Sequence, residues 1–146
     1  MLTLQPAKKQ DVALFTQMEM AQDTSSYIIP YTEEQHIAEM EKNEIKYLSI
    51  YQQNTLIGFI ILALESGTRV EFRRIVIAQK GCGYGQIAMQ LLEQYCKQEL
   101  QKRVIWLDVF ESNKRGIHIY QKLGYQQFEL AEHEGKTLLL MQKELY

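Results

Sequence analysis

Three glycines, Gly81, Gly83 and Gly85, fall at every second position between a strand-like and a helix-like segment. Residues 70–77 are mostly β-branched or aromatic, as strands prefer, and residues 84–96 repeat apolar side chains at helical spacing. Glycines so spaced let backbone N–H groups crowd together without interference from Cβ atoms. Because a helix N-terminus also carries unpaired N–H groups and the positive end of the helix dipole, the turn predicts an anion site, most naturally for phosphate.

The spacing of this turn excludes two common phosphate-binding motifs. No Gly-Lys-Ser/Thr follows the last glycine, so the turn is not a P-loop. Its G-x-G-x-G spacing also differs from the G-x-G-x-x-G of dinucleotide-binding folds, and no acidic residue follows where a ribose would be bound. Two alternatives stay open at this point: a glycine-rich turn without a ligand, and a nucleotide-binding domain of another type.

Residues 80–85, Lys-Gly-Cys-Gly-Tyr-Gly, resemble the coenzyme A pyrophosphate loop of the GNAT family of N-acetyltransferases. That family carries Gln/Arg-x-x-Gly-x-Gly/Ala between a strand and a helix. Lys80 departs from the usual Gln or Arg, with Gln79 just before it, but a lysine still supplies a cation beside a pyrophosphate.

Residues 113–125 are similar to the same family's Asn-x-x-Ala-x-x-x-Tyr-x-x-x-Gly-Phe signature, with Gly116 in place of Ala and Tyr125 in place of Phe. The two motifs stand in the family's order, separated by a helix and a strand. The resemblance covers the chain from about Tyr47 to the C-terminus. It implies transfer of acetyl from acetyl-CoA to an amine, with no covalent enzyme intermediate and no metal.

The resemblance also implies how acetyl-CoA binds. The pantetheine arm would bond the backbone of residues 75–77 like an added strand, and the N–H of Ile77 would polarise the thioester carbonyl. Asn113 would bond the pantetheine or its neighbours, although a plain N-cap of the next helix explains this residue equally well. The residues expected to contact acetyl-CoA are Ile75, Val76, Ile77, Lys80, Gly81, Cys82, Gly83, Tyr84, Gly85, Gln86 and Asn113.

Two side chains are expected to perform the proton transfers. Tyr120 would be the general acid for the departing thiolate, because a tyrosine of pKa about 10 is protonated at neutral pH, whereas a simple thiol has a pKa of about 8.5. Glu71 is the first candidate for the base and Glu111 the second. The alternatives are a core tyrosine and two solvated surface carboxylates. Arg73 and Arg74 could contact a phosphate, but we expect them only to cover the sheet surface.

Composition limits the other classes of function. The chain has 146 residues with 16 basic and 18 acidic side chains, a net charge of −2 that favours neither nucleic acid nor an anionic membrane. We expect no disulfide between Cys82 and Cys96, which favours the cytosol. His36, His118 and His133 lack metal-ligand spacing and are expected to be exposed.

The order of periodic segments predicts one α/β domain over residues 1–146, with a mixed, mostly antiparallel sheet of six or seven strands and four helices. The near-continuous apolar run of residues 104–110 indicates a strand buried on both faces. Strands are expected at 2–4, 47–51, 56–64, 70–77, 104–110, 125–130 and 137–142, and helices at 8–21, 33–42, 84–100 and 114–123.

The sequence thus predicts an acetyl-CoA-dependent N-acetyltransferase, with a non-catalytic coenzyme A-binding module as the alternative. The acceptor amine could belong to a small molecule or to a protein, and a homodimer is an open alternative. Tyr27 and Tyr31, with the acidic residues of 33–41, favour a cationic acceptor, although a solvated helix face explains those acidic residues as well.

Overall fold

The computed structural model describes residues 1–21, 29–78 and 81–146, and these contain one seven-stranded sheet. The predicted connector at 27–31 lies partly outside the described residues. The strands are β1 Leu2–Pro6, β2 Ile45–Gln52, β3 Thr55–Leu64, β4 Arg69–Ile77, β5 Val104–Phe110, β6 Gln126–His133 and β7 Lys136–Glu144. Their order in the sheet is β1-β2-β3-β4-β5-β7-β6. The helices are α1 Val12–Glu19, α2 Glu33–Met40, α3 Tyr84–Gln98 and α4 Lys114–Lys122, and a 3-10 turn covers Lys9–Asp11.

The first four strands form the predicted antiparallel meander, and β4 continues through α3 to the parallel strand β5. Gly58 of β3 is required where this meander is tight, because a Cβ there would lie 2.3 Å from the carbonyl oxygen of Val76. The last hairpin turns at Glu134 and Gly135, which both have positive φ angles. The predicted α/β fold class is therefore confirmed.

Local sequence signals set the helix ends. Thr32 and Gln35 form a reciprocal capping box at α2, and Asn113 caps α4, which ends before Gly124 with φ of +102°. Helix α1 is shorter than predicted, because its first turn is the 3-10 turn Lys9–Asp11.

Each face of the sheet carries its own core. We call the side packed by α3 and α4 the α3 face, and the side packed by α1 and α2 the α1 face. The prediction that β5 is buried on both faces is wrong. Ile105, Leu107 and Val109 are buried on the α3 face, whereas Asp108 alternates to the other side and is exposed.

A bulge in β4 changes which residues face each core. In the pairing of β3 with β4, Ile61 lies opposite Arg74 and Leu62 opposite Phe72, so that Arg73 has no partner of its own. Val70 and Phe72 before the bulge face the α3 side, and so do the odd-numbered residues after it. Consequently Glu71 and Arg74 both project on the α1 face.

Candidate active site

Strands β4 and β5 separate almost as soon as they have paired. Their parallel register covers only Arg69–Glu71 against Val104–Trp106, whereas β5 pairs along its whole length with β7 on its other side. The rest of β4 keeps β3 as its neighbour but has lost β5. The backbone of residues 75–77 thus borders the gap, in agreement with an edge that could accept an added strand.

Tyr120 of α4 approaches this gap from the α3 face. Its ring packs against Phe72 and Tyr125, with centroids 6.2 and 6.1 Å apart. Burial raises the pKa of Tyr120 to about 12, and the negative charge of Asp108 adds to the shift. The predicted acid is therefore a protonated hydroxyl at neutral pH.

Glu71 approaches from the α1 face with its side chain only 14% exposed. Arg73 Nη2 donates to Glu71 Oε1 at 3.0 Å, and Arg73 Nη1 lies 3.8 Å from Glu39 Oε1 of α2. The bulged arginine thus orients the predicted base. Glu111, the second candidate, is exposed in the turn after β5.

Asp108 is a candidate site residue that the sequence analysis did not identify. It lies two residues beyond Trp106, the partner of Glu71 in the register, and on the same side of the sheet as Glu71. Although the side chain reaches solvent, the protein around its carboxyl displaces part of the water and raises the pKa of Asp108, and the charge of Glu71 raises it further against the opposing effects of Arg73 and His133. The sequence feature that could have identified Asp108 is that it is the one carboxylate in the otherwise apolar strand of residues 104–110.

The glycine turn forms as predicted in its described part, residues 81–86; Lys80 lies outside the described residues. Gly81 and Gly83 have φ of +79° and +74°, and a Cβ built on either would meet no atom within 4 Å. The first backbone bond of α3 runs from Ile87 N to Gly83 O, so the amides of residues 84–86 have no acceptor within the helix. The turn therefore offers donors and open space at a helix N-terminus, and it fits a phosphate group.

The first turn of α3 is tied to β2. Gln52 Nε2 donates to the Tyr84 hydroxyl at 2.7 Å.

The other residues predicted near acetyl-CoA differ in exposure. Cys82 is exposed in the turn, and Cys96 of the following helix is buried on the inner side of α3. Val76 and Ile77 are buried, whereas Ile75 is half-buried.

Asn113 has the structural role that was left open. Its side chain accepts a hydrogen bond from the Gly116 N–H at 2.9 Å. A Cβ at Gly116 would lie 2.6 Å from Asn113 Nδ2, so an alanine there would require the Asn113 side chain to shift. A contact between Asn113 and acetyl-CoA stays a prediction.

Two expectations about polar residues are wrong. His36 is fully buried, because Glu19 and Tyr47 satisfy both of its ring nitrogens. Arg74 does not merely cover the sheet surface, since its guanidinium is only 10% exposed and pairs with buried Glu19. His118 and His133 are exposed as expected.

A model of the acetyltransferase (GNAT) family matches residues 13–125. The match spans well over half of the chain, which therefore belongs to this family. The chain is an acetyl-CoA-dependent N-acetyltransferase, as the glycine turn and the residues around Tyr120 predicted.

Two relatives illustrate the similarity. A spermine/spermidine N(1)-acetyltransferase from Bacillus subtilis (strain 168) is 25% identical over 104 residues, which make up 65% of this chain and 68% of that protein. The spermidine N-acetyltransferase from Vibrio cholerae, solved in complex with CoA and spermine, superposes with a TM-score of 0.84 at 20% identity, covering 99% of this chain and 95% of that one. The second likeness confirms the predicted fold.

No helix of the described residues is long and apolar enough to cross a membrane. No group of three or more His, Cys, Asp or Glu residues within them is arranged to hold a metal ion.

The protonation state of Tyr120 can be measured directly. In a ¹³C-tyrosine NMR titration, the resonance absent from Tyr120→Phe should keep its phenol shift from neutral pH to about pH 10.5, because burial raises the pKa above the ordinary value of about 10. A resonance that moves to its phenolate position with a midpoint at or below about pH 10 would contradict a buried, protonated hydroxyl.

Proposed function

We propose that this enzyme acetylates a primary amine of a small polycation of the polyamine class, by direct attack of the amine on acetyl-CoA where β4 and β5 separate. The observation that carries the proposal is the pair of carboxylates, Glu71 and Asp108, on the α1 face of that gap, with Tyr120 on the α3 face. The two relatives are acetyltransferases of spermidine or spermine by their names, and this supports a polyamine as the acceptor of this enzyme. The cytosolic location, the homodimer and the single domain over residues 1–146 stay predictions.

The acetyl-CoA half of the site uses main-chain groups. The amides of residues 81–86 would hold the pyrophosphate, with Lys80 supplying a cation. The open edge of residues 75–77 would bond the pantetheine arm and leave the Ile77 N–H for the thioester carbonyl. Support comes from the positive φ angles of Gly81 and Gly83 and from the loss of β5 as a neighbour.

In the transfer step the amine nitrogen attacks the thioester carbon, the C–N bond forms and the C–S bond breaks. One proton leaves the nitrogen for Glu71 through water and passes on to solvent, and the thiolate takes one proton from solvent, so that the step balances. Since the pKa of Tyr120 is raised to about 12, above roughly 8.5 for a thiol, complete transfer from its hydroxyl is uphill. Tyr120 therefore acts chiefly by donating a hydrogen bond to the sulfur as negative charge develops there.

The acceptor half of the site is acidic. Asp108 lies on β5 beside the gap between β4 and β5. Its charge interacts with Glu71 and Arg73 of β4 and with His133 of the hairpin of β6 and β7. A diamine or longer polyamine would place its reacting nitrogen near Glu71 and a second, protonated nitrogen at Asp108. A monoamine would lack that second contact.

A panel of amines tests this proposal. We expect kcat/KM for spermidine to exceed that for butylamine by about 10–100-fold, because a hydrogen bond to a charged group contributes roughly 1.5–3 kcal/mol. Asp108→Asn should remove most of the advantage of spermidine and leave butylamine unchanged. Acetyl-CoA consumption measures both.

The same panel of amines separates a polyamine acceptor from a protein acceptor and from a non-catalytic coenzyme A-binding module. Preference for a peptide with a free α-amino group or lysine would favour a protein acceptor. Binding of coenzyme A without turnover of any amine would favour the non-catalytic module. A spermidine preference that Asp108→Asn leaves intact would contradict the placement of the second nitrogen.

The glycine turn has a matched control elsewhere in the chain. Gly83→Val puts a branched side chain where the pyrophosphate is expected, and should weaken acetyl-CoA binding by at least about tenfold in a titration. Gly67 has φ of +86° and equally open space, but lies in the turn before β4. Gly67→Val should carry the same backbone strain and keep the affinity. Equal affinities for the two variants would remove the turn from the binding site.

A further inference from the structure

A charged residue, Glu19, lies fully buried at the end of α1, and the fully buried His36 of α2 lies beside it. The Glu19 carboxylate accepts hydrogen bonds from Arg74 Nη1 at 2.5 Å, from His36 Nε2 at 2.7 Å and from the Tyr31 N–H at 3.0 Å. Burial alone would raise the pKa of Glu19, but these hydrogen bonds outweigh it and lower the pKa. The carboxylate is therefore charged at neutral pH and is balanced by Arg74.

The contact with Glu19 also fixes the histidine tautomer. In a neutral imidazole the contact with Glu19 places the proton of His36 on Nε2, and Nδ1 then accepts from the Tyr47 hydroxyl at 2.6 Å. We call Glu19, His36, Tyr47 and Arg74 the buried network. Each of its four polar side chains has a partner inside the protein.

The buried network connects four elements of the α1 face. Glu19 belongs to α1, His36 to α2, Tyr47 to β2 and Arg74 to β4. Arg74 Nη2 also donates to the carbonyl of Ile29 at 3.1 Å. The Glu19–Arg74 ion pair thus joins α1 to the strand that borders the acetyl-CoA gap, and the hydrogen bond from His36 to Glu19 joins α2 to the same pair.

The buried network is linked to Glu71 by two routes, one along β4 and one along α2. On β4, Arg74 directly follows the bulged Arg73, which donates to Glu71. On α2, Glu39 lies one helical turn beyond His36 and pairs with Arg73. The position of Glu71 is therefore held from the strand and from the helix by contacts that converge on Glu19.

Stability alone is a weak reason for this arrangement. A buried ion pair repays little more than its own desolvation, and apolar side chains of similar volume often stabilise a core as well or better. The described network instead supplies fixed directions between helices and strand, which apolar contacts do not.

We propose that Glu19 is a positioning residue for the amine acceptor, which holds α1, α2 and β4 in the register that aims Glu71 at the attacking nitrogen. This inference rests on the proposed acceptor site on the α1 face. It does not depend on the acceptor being a polyamine.

The test uses the amine that the wild-type enzyme turns over best, whichever class it comes from. Glu19→Gln should lower kcat/KM for that amine by roughly 10–100-fold, because misplacement of a reacting group by about 1 Å has effects of that size. Acetyl-CoA affinity, measured by titration, should stay unchanged. The double variant Glu19→Gln/Arg74→Gln removes both charges, so it should regain thermal stability without regaining kcat/KM.

Two further variants keep the test decisive. Tyr47→Phe removes only the hydroxyl at the far end of the buried network, so it should fold and show a smaller loss in the same direction. Glu93→Gln is the matched control on the α3 face, since Glu93 there accepts from Lys143 Nζ at 2.9 Å and from the Tyr125 hydroxyl at 3.1 Å. It should lower the melting temperature and leave amine kinetics unchanged.

If the buried network only stabilised the fold, amine kinetics would follow thermal stability across these variants. If the double variant regains amine kinetics together with stability, or if Glu19→Gln and Glu93→Gln change kinetics equally, the inference is overturned. Wild-type preference for a non-polyamine acceptor would count against the proposed function alone, because these comparisons hold for any amine.

Discussion

Strand β4 loses β5 as its neighbour after three paired residues, and the whole site depends on this separation. The bulge at Arg73 lies at the same level of β4 and reverses the side on which the following residues project. The separation from β5 leaves a backbone edge of β4 without a neighbouring strand, and the bulge sends Glu71 and Arg74 to the same face. A regular sheet would offer neither.

The gap separates two electrostatic environments. On the α3 face, an apolar core surrounds Tyr120 and keeps its hydroxyl protonated. On the α1 face, Glu71 and Asp108 lie among arginines that are themselves paired, Arg73 with Glu71 and Arg74 with Glu19. In the proposed reaction the thiolate would leave on the α3 face and the amine would bind on the α1 face, with the charge of Asp108 also acting on Tyr120.

Much of this arrangement could be predicted from short-range sequence patterns. The glycine turn, the capping box at Thr32 and the cap at Asn113 are local, because each depends on residues within a few positions of one another. The bulge at Arg73 depends on the register between strands. The burial of His36 and the pairing of Glu19 with Arg74, 55 residues apart, depend on which faces meet after folding. For the same reason Asp108 looked like an ordinary member of an apolar strand.

The central claim is that acetyl transfer takes place in this gap with Tyr120 facing the sulfur, and steady-state kinetics of Tyr120→Phe test it most directly. The account predicts that kcat falls by about 10²–10³-fold, the usual effect of removing a hydrogen-bond donor to developing negative charge, while acetyl-CoA affinity changes little. Tyr125→Phe is the matched control, since it removes a hydroxyl that is bonded to Glu93 in the same cluster; it should lower stability and keep kcat. Full turnover by Tyr120→Phe, or equal losses in both variants, would contradict the account.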